Sequence, residues 1–276
     1  MRLVSARSAE VDAWLADEAS AALPRVTLGD VALHAVSESR CIRHVLGALS
    51  AGRGGWVITP NLDHLRRARH DTAYRGMLGE ADLVVADGMP LVWASRLQGT
   101  PLPERVPGSS LTCTLSEAAA LRGHSLFLIG GAPGTADAAA ETLRLRFPGL
   151  TIAGTHAAPY GFQEQPEALA SLRERLHLAG PDIVFVALGS PKQERLIREM
   201  RSVLPRAWWL GVGISFSFVC GDVRRAPQWM QAAGLEWAHR LAHEPGRLAR
   251  RYLVDGPPFA VSMLCRAGLR RVGVGD

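Results

Sequence analysis

With 276 residues, 47% of them hydrophobic and 21% charged, the chain has the composition of an ordinary folded, water-soluble body, which sets aside disordered and fibrous classes. That length fits one large α/β domain or a domain with an appendage. The formal charge of +5 suits an anionic partner, whether nucleotide phosphates, nucleic acid or an acidic membrane surface, while four scattered cysteines with no C-x-x-C pair read as reduced thiols.

At the N-terminus, Glu10, Asp12, Asp17 and Glu18 stand where an export signal needs a continuous apolar stretch, so a cytoplasmic location is expected and residues 1–25 are read as a separate segment. Short apolar runs then alternate with helical patterns. Strands are predicted at 54–61 (GGWVITPN), 81–88 (ADLVVADG), 124–131 (HSLFLIGG), 150–156 (LTIAGTH), 181–189 (PDIVFVALG) and 206–213 (RAWWLGVG), each apolar on both faces and ending in turn residues. Helices are predicted between them at 62–79, 109–122, 135–147, 166–179 and 193–204. Residues 26–220 therefore read as an α/β core, an open, mostly parallel, Rossmann-like sheet covered by helices.

After Gly221 the pattern changes to a basic, aromatic, strand-free tail, predicted as a helical appendage over 221–276. Trp229, Ala233, Trp237 and Leu241 recur at intervals of four, an amphipathic stripe. Arg247, Arg250 and Arg251 share a face at i, i+3 and i+4, and a further short helix is predicted over 259–271 after the GPP break. The uncharged apolar stretch 207–221 is shorter than the roughly 20 apolar residues that a spanning helix needs.

In an open parallel sheet, ligands bind beyond the carboxyl ends of the strands. The residues there are Thr59, Pro60 and Asn61; Asp87 and Gly88; Gly130, Gly131 and Gly134; and Gly189, Ser190, Pro191, Lys192 and Gln193. Asp87 ends a buried run, where partial desolvation raises a carboxylate's pKa and makes it a better base. It serves equally well as a turn aspartate capping a helix that starts near Pro90. Gly88 admits a positive φ or a close substrate approach. Gly130, Gly131 and Gly134 lead into a helix, as in a phosphate-cradling loop, but the spacing is not G-x-G-x-x-G, so a nicotinamide cofactor is poorly supported. Lys192, the only lysine, and Gln193 suit a diphosphate or a uracil edge, although an exposed helix start explains them too. No Asp-x-Asp pair is present to hold a divalent cation on a diphosphate, which would leave Arg105, lysine and backbone N–H groups to meet that charge. His239 and His243, four apart, lack an evident third metal ligand.

Taken together and in order, TPNLDHL, ADLVVADGMPLVWASRLQG, ERVPGSSL, FLIGGAPG, FPGLTIAG, GSPKQE, RRAPQWMQAAGLEWAHRL and EPGRLARRYL resemble the WecG/TagA/CpsF family of bacterial glycosyltransferases, glycosyltransferase family 26, over roughly residues 26–252. The resemblance implies transfer of a sugar from a UDP-sugar donor to a polyprenyl-diphosphate-linked acceptor in surface-polysaccharide or cell-wall polymer synthesis. It implies inversion, with no cofactor, no required metal and no nucleic-acid partner. It makes Asp87 the base and places Thr59 and Asn61 at the sugar pocket. Arg105 matches the arginine of E-R-V-x-G and Gln193 the glutamine of G-x-P-K-Q-E. The tail then corresponds to a membrane-targeting segment on the inner face of the cell membrane, with Arg240, Arg247 and Arg250 meeting diphosphate. The donor stays open among UDP-N-acetylmannosamine, UDP-N-acetylmannosaminuronate and UDP-glucose, because Met89, Pro90 and the segment before Val26 depart from the pattern. A non-catalytic nucleotide- or membrane-binding module is the competing class.

Overall fold

The computed structural model describes residues 22–157, 159 and 161–273. A hairpin comes first, β1 (Arg25–Leu28) with β2 (Val31–His34), joined by the two-residue loop Gly29-Asp30. Gly29 adopts φ +60, a value that tight hairpin loops require and glycine tolerates. Val26, Leu28, Val31 and Leu33 turn inward and seal the hairpin onto the core.

The chain continues through α1 (Glu38–Ser50), β3 (Gly55–Ile58), α2 (Leu62–His70), α3 (Thr72–Gly79), β4 (Leu83–Val84), α4 (Met89–Gln98) and α5 (Gly108–Arg122). It then runs through β5 (Ser125–Gly130), α6 (Thr135–Arg146), β6 (Thr151–His156), α7 (Pro166–Ala179), β7 (Ile183–Ala187), α8 (Lys192–Met200) and β8 (Trp208–Gly211). Strands β3 to β8 form one six-stranded sheet, parallel throughout, in the order β4-β3-β8-β7-β5-β6.

The two-sided apolar strands have a direct cause in the two-residue repeat of a strand. Trp56, Ile58, Val84, Phe127, Val184, Val186 and Trp209 face one core layer, shared with α2, α3, α4, α7 and α8. Val57, Leu83, Leu126, Leu128, Phe185, Trp208 and Leu210 face the other, shared with α1, α5 and α6. Adjacent Trp208 and Trp209 thus point to opposite layers, and burying each removes on the order of 200 Å² from water.

The structure departs from the sequence reading at several elements. The 62–79 helix divides at Asp71, whose carboxylate accepts from Tyr74 N (2.9 Å) and starts α3 while its own N–H ends α2. Strand 81–88 contracts to two paired residues, although Val85 N and Asp87 N still bond Ile58 O and Pro60 O. β6 is one edge of the sheet and only half-buried, so its apolar alternation is incomplete. Helix α1 and the β1–β2 hairpin were not anticipated, while α4 starts where a helix near Pro90 was expected.

The tail is helical, as predicted, but differently divided. After α9 (Ser215–Cys220) come α10 (Gln228–Ala232), α11 (Glu236–His243), α12 (Pro245–Ala249), a π-helical turn (Arg250–Asp255) and α13 (Gly256–Arg271). The stripe of four-spaced residues is not one helix, because Gly234 at φ +73 turns the chain between α10 and α11. The GPP segment is no break either: its prolines occupy the first turn of α13, where their missing N–H groups cost nothing. α13 lies across α4 and α2, burying Met263 and Ala267 against the core.

Candidate active site

A cleft of about 450 Å³ opens over the carboxyl ends of β4, β3, β8 and β7, and the tail forms its roof. From the core come Thr59 and Asn61 after β3, Asp87 and Gly88 after β4, Arg105, Gly189 and Gln193; α11 adds Glu236, Trp237 and Arg240, and Arg247, Arg251 and Tyr252 follow. Gly108 and Ser109, at the start of α5 where no side chain caps the helix, also line it. Open N–H groups at such a helix start favour anionic groups.

Asp87 is carried to the cleft by the chain's parallel run beside β3. It does not cap the next helix. Gly88 occupies the N-cap of α4 at φ +147, a backbone state that only glycine adopts readily, and no side chain bonds the helix start. Burial and Glu236 push the Asp87 carboxyl up to about 6, against the opposing pull of Arg105, Arg225 and Arg240. Arg105 Nη1 donates to Glu236 Oε2 at 2.9 Å, while Arg225 Nε lies 3.6 Å from Glu236 Oε1 and Arg225 Nη2 donates to Ser110 Oγ at 3.0 Å.

On the opposite wall, Asn61 caps α2, its Oδ1 accepting from Asp63 N at 3.1 Å and from Arg251 Nη2 at 3.1 Å. Arg251 Nε also lies 3.7 Å from Asp63 Oδ2. Burial opposes ionisation of Asp63, but Arg251 and Arg66 outweigh it and hold the carboxyl below its usual range. Burial, then Arg251, lowers His64 to about 3, so the ring beside Asn61 is neutral. Gln193 is fixed at both ends of its amide: Oε1 accepts from Gly213 N (3.0 Å) and Nε2 donates to Glu194 Oε1 (3.1 Å). Glu194 is buried, which raises its pKa and favours the neutral acid.

Gly130, Gly131, Lys192 and Arg250 lie outside this lining, as do Pro60, Gly134 and Pro191 of the strand-end residues. Gly130 and Gly131 end β5, beyond β7, and serve close packing instead: a Cβ on Gly130 would come within 2.7 Å of Ala187 O, and one on Gly131 within 3.0 Å of Thr135 Cβ. Lys192 is exposed on the outer side of α8, because neighbours on a helix diverge by roughly 100° and Gln193 takes the inward direction. Arg250 points to solvent, its side chain 87% exposed with Nε 3.6 Å from Asp255 Oδ2, and Arg251 takes the inward place. His239 and His243 stack with ring centroids 4.2 Å apart, and among the described residues no group of three His, Cys, Asp or Glu is placed to hold a metal ion. Glu236, Arg225, Arg251 and His64 were missed; each matters through a partner far along the chain.

The Glycosyl transferase WecG/TagA/CpsF family matches residues 26–272, so the chain belongs to that family. It is a glycosyltransferase. Among its relatives, an N-acetylglucosaminyldiphosphoundecaprenol N-acetyl-beta-D-mannosaminyltransferase of Bacillus spizizenii (strain ATCC 23059 / NRRL B-14472 / W23) is 32% identical over 216 residues, covering 78% of this chain and 81% of the relative.

Proposed function

We propose that this chain transfers an N-acetylmannosamine-type sugar from its UDP donor, with inversion, to an N-acetylglucosamine carried on a polyprenyl diphosphate, in the synthesis of a cell-wall or surface polymer. The relative's activity supports the donor and acceptor class. The observation that carries the chemistry is the meeting, in one cleft, of a carboxyl held up to about 6 with guanidiniums from both the core and the tail.

In this reading Asp87 accepts the proton of the acceptor hydroxyl as that oxygen bonds the anomeric carbon and the carbon–oxygen bond to the diphosphate breaks. UDP departs with added negative charge. Arg105, Arg240, Arg247 and Arg251, with the open N–H groups of α5, stabilise it more than they stabilise the intact donor. Thr59, Asn61 and Gln193, held on rigid elements, orient the sugar. An acceptor with a prenyl tail places the reaction at a membrane surface, and the protein's tail exposes Trp229 (65%), Leu253 (58%) and Val261 (61%), with the Arg250 side chain 87% exposed. Exposed aromatic, aliphatic and basic groups suit an anionic interface. Among the described residues no helix is long and apolar enough to cross a membrane, so the proposed contact is peripheral.

The test is incubation of the protein with a panel of UDP-sugars and a prenyl-diphosphate N-acetylglucosamine acceptor, read by mass spectrometry. A disaccharide product from UDP-N-acetylmannosamine is expected. Product from another UDP-sugar alone would overturn the donor assignment, and hydrolysis without coupling would overturn the acceptor.

A further inference from the structure

A base in this cleft must keep its lone pairs available among closely packed guanidiniums. Charge alone works against that: a carboxylate facing arginines tends to take one of them into a bidentate pair and is then no longer free to accept a proton. Yet among the described residues the Asp87 carboxylate forms no ion pair within 4.0 Å. Two of the nearby arginines are held elsewhere. Glu236 offers one oxygen to each, Oε2 to Arg105 at 2.9 Å and Oε1 to Arg225 at 3.6 Å. Ser110 Oγ fixes the far side of Arg225. The Glu236 and Arg105 side chains are each only 16% exposed, so their attraction is screened less than on an open surface.

We propose that Glu236 is a positioning residue, which holds Arg105 and Arg225 off the Asp87 carboxylate and so keeps that carboxylate free to act as the base. This role rests on the transferase reading. It is played from α11, so the core does not complete its own catalytic surroundings. The charged groups acting on Asp87 are Glu236 and Arg240 from α11, Arg105 from the segment before α5 and Arg225 from the segment before α10. Removing the single negative charge among them leaves the arginines to Asp87 alone.

The experiment compares the full-length protein with Glu236→Gln and Glu236→Asp by two readouts. The first is titration of Asp87 in carbon-13 aspartate-labelled protein, with its resonance assigned by loss in Asp87→Asn. The second is steady-state transfer. In Glu236→Gln the Asp87 titration moves to lower pH by roughly one unit, and kcat falls about tenfold while the KM for donor changes less than about threefold. Glu236→Asp, which keeps the charge but shortens its reach, shifts the titration in the same direction by less and covers the case in which Glu236→Gln does not fold. The double variant Glu236→Gln/Arg105→Gln returns the titration toward the wild-type position. A folded Glu236→Gln protein with an unmoved Asp87 titration overturns the proposal, even if turnover falls, because that combination marks a merely structural role. The titration needs no substrate: absent turnover on every UDP-sugar, together with the expected shift, contradicts the transferase reading instead.

Discussion

A carboxyl group held near 6 is mostly ionised at pH 7 and loses its charge as the pH falls below 6. Transfer that depends on Asp87 as a base is therefore expected to show an acid limb near pH 6, measured as kcat/KM against pH. Stability carries the opposite sign. The folded-state pKa lies above the ordinary 3.8, so the cost of ionising Asp87 is absent below the ordinary value and is borne in full above about 6. Asp87→Asn should then raise thermal stability at pH 7 by roughly 1–3 kcal/mol while it removes activity, and a melting temperature unchanged at pH 7 would argue against the raised pKa. Gly211 gives a second test. A Cβ there would lie 2.5 Å from Gln193 Nε2, so Gly211→Ala should displace that amide and lower turnover about tenfold or more, with the folded state retained as judged by circular dichroism. At this scale the sequence revealed residues whose type conflicts with their surroundings: Asp87 at the end of an apolar run, Gly88 beside it. It did not separate Gln193 from Lys192, since one step along a helix reverses inside and outside. Glu236 was hidden for another reason, that its value lies in Arg105, 131 residues away.

Among the elements, apolar runs long enough to be buried on both faces were readable as strands, and the parallel order follows from the helices between them. Where a single polar side chain or a glycine decides the outcome, periodicity gave no warning. Asp71 divides a helix, and Gly234 divides the aromatic stripe. Gly234 also packs tightly: a Cβ would lie 2.7 Å from Met89 Cγ, on the helix that follows Asp87. Gly234→Ala is therefore strained in its backbone and in its contact, and should separate α11 from the core, with faster proteolysis of the tail and turnover reduced about tenfold. Intact protease resistance in that variant would contradict the packing. Arg251, which reaches Asn61 and Asp63 from the π-helical turn, provides the corresponding tie on the other wall.

For the molecule as a whole, the tail is joined to the core by α13 and by ion pairs at both cleft walls, while Trp229, Arg250, Leu253, Val261 and Arg271 of the tail are exposed. Reversing two exposed charges, Arg250→Glu with Arg271→Glu, should weaken partitioning to vesicles containing anionic lipid by about tenfold or more. Transfer to a short-chain, detergent-free acceptor should stay within about twofold, because neither residue lines the cleft. Equal partitioning of variant and parent would remove the membrane role. A tail of this kind was legible as basic, aromatic helix, but not as the roof of the site, since nothing in its periodicity says which face meets the core. The most direct measurement pairs UDP affinity, by calorimetry, with product formation on a prenyl-diphosphate acceptor for the parent and for Asp87→Asn. UDP affinity within about threefold and product lowered by a factor of about a thousand or more is the predicted result. Turnover surviving in Asp87→Asn would contradict the claim that this carboxylate takes the acceptor's proton.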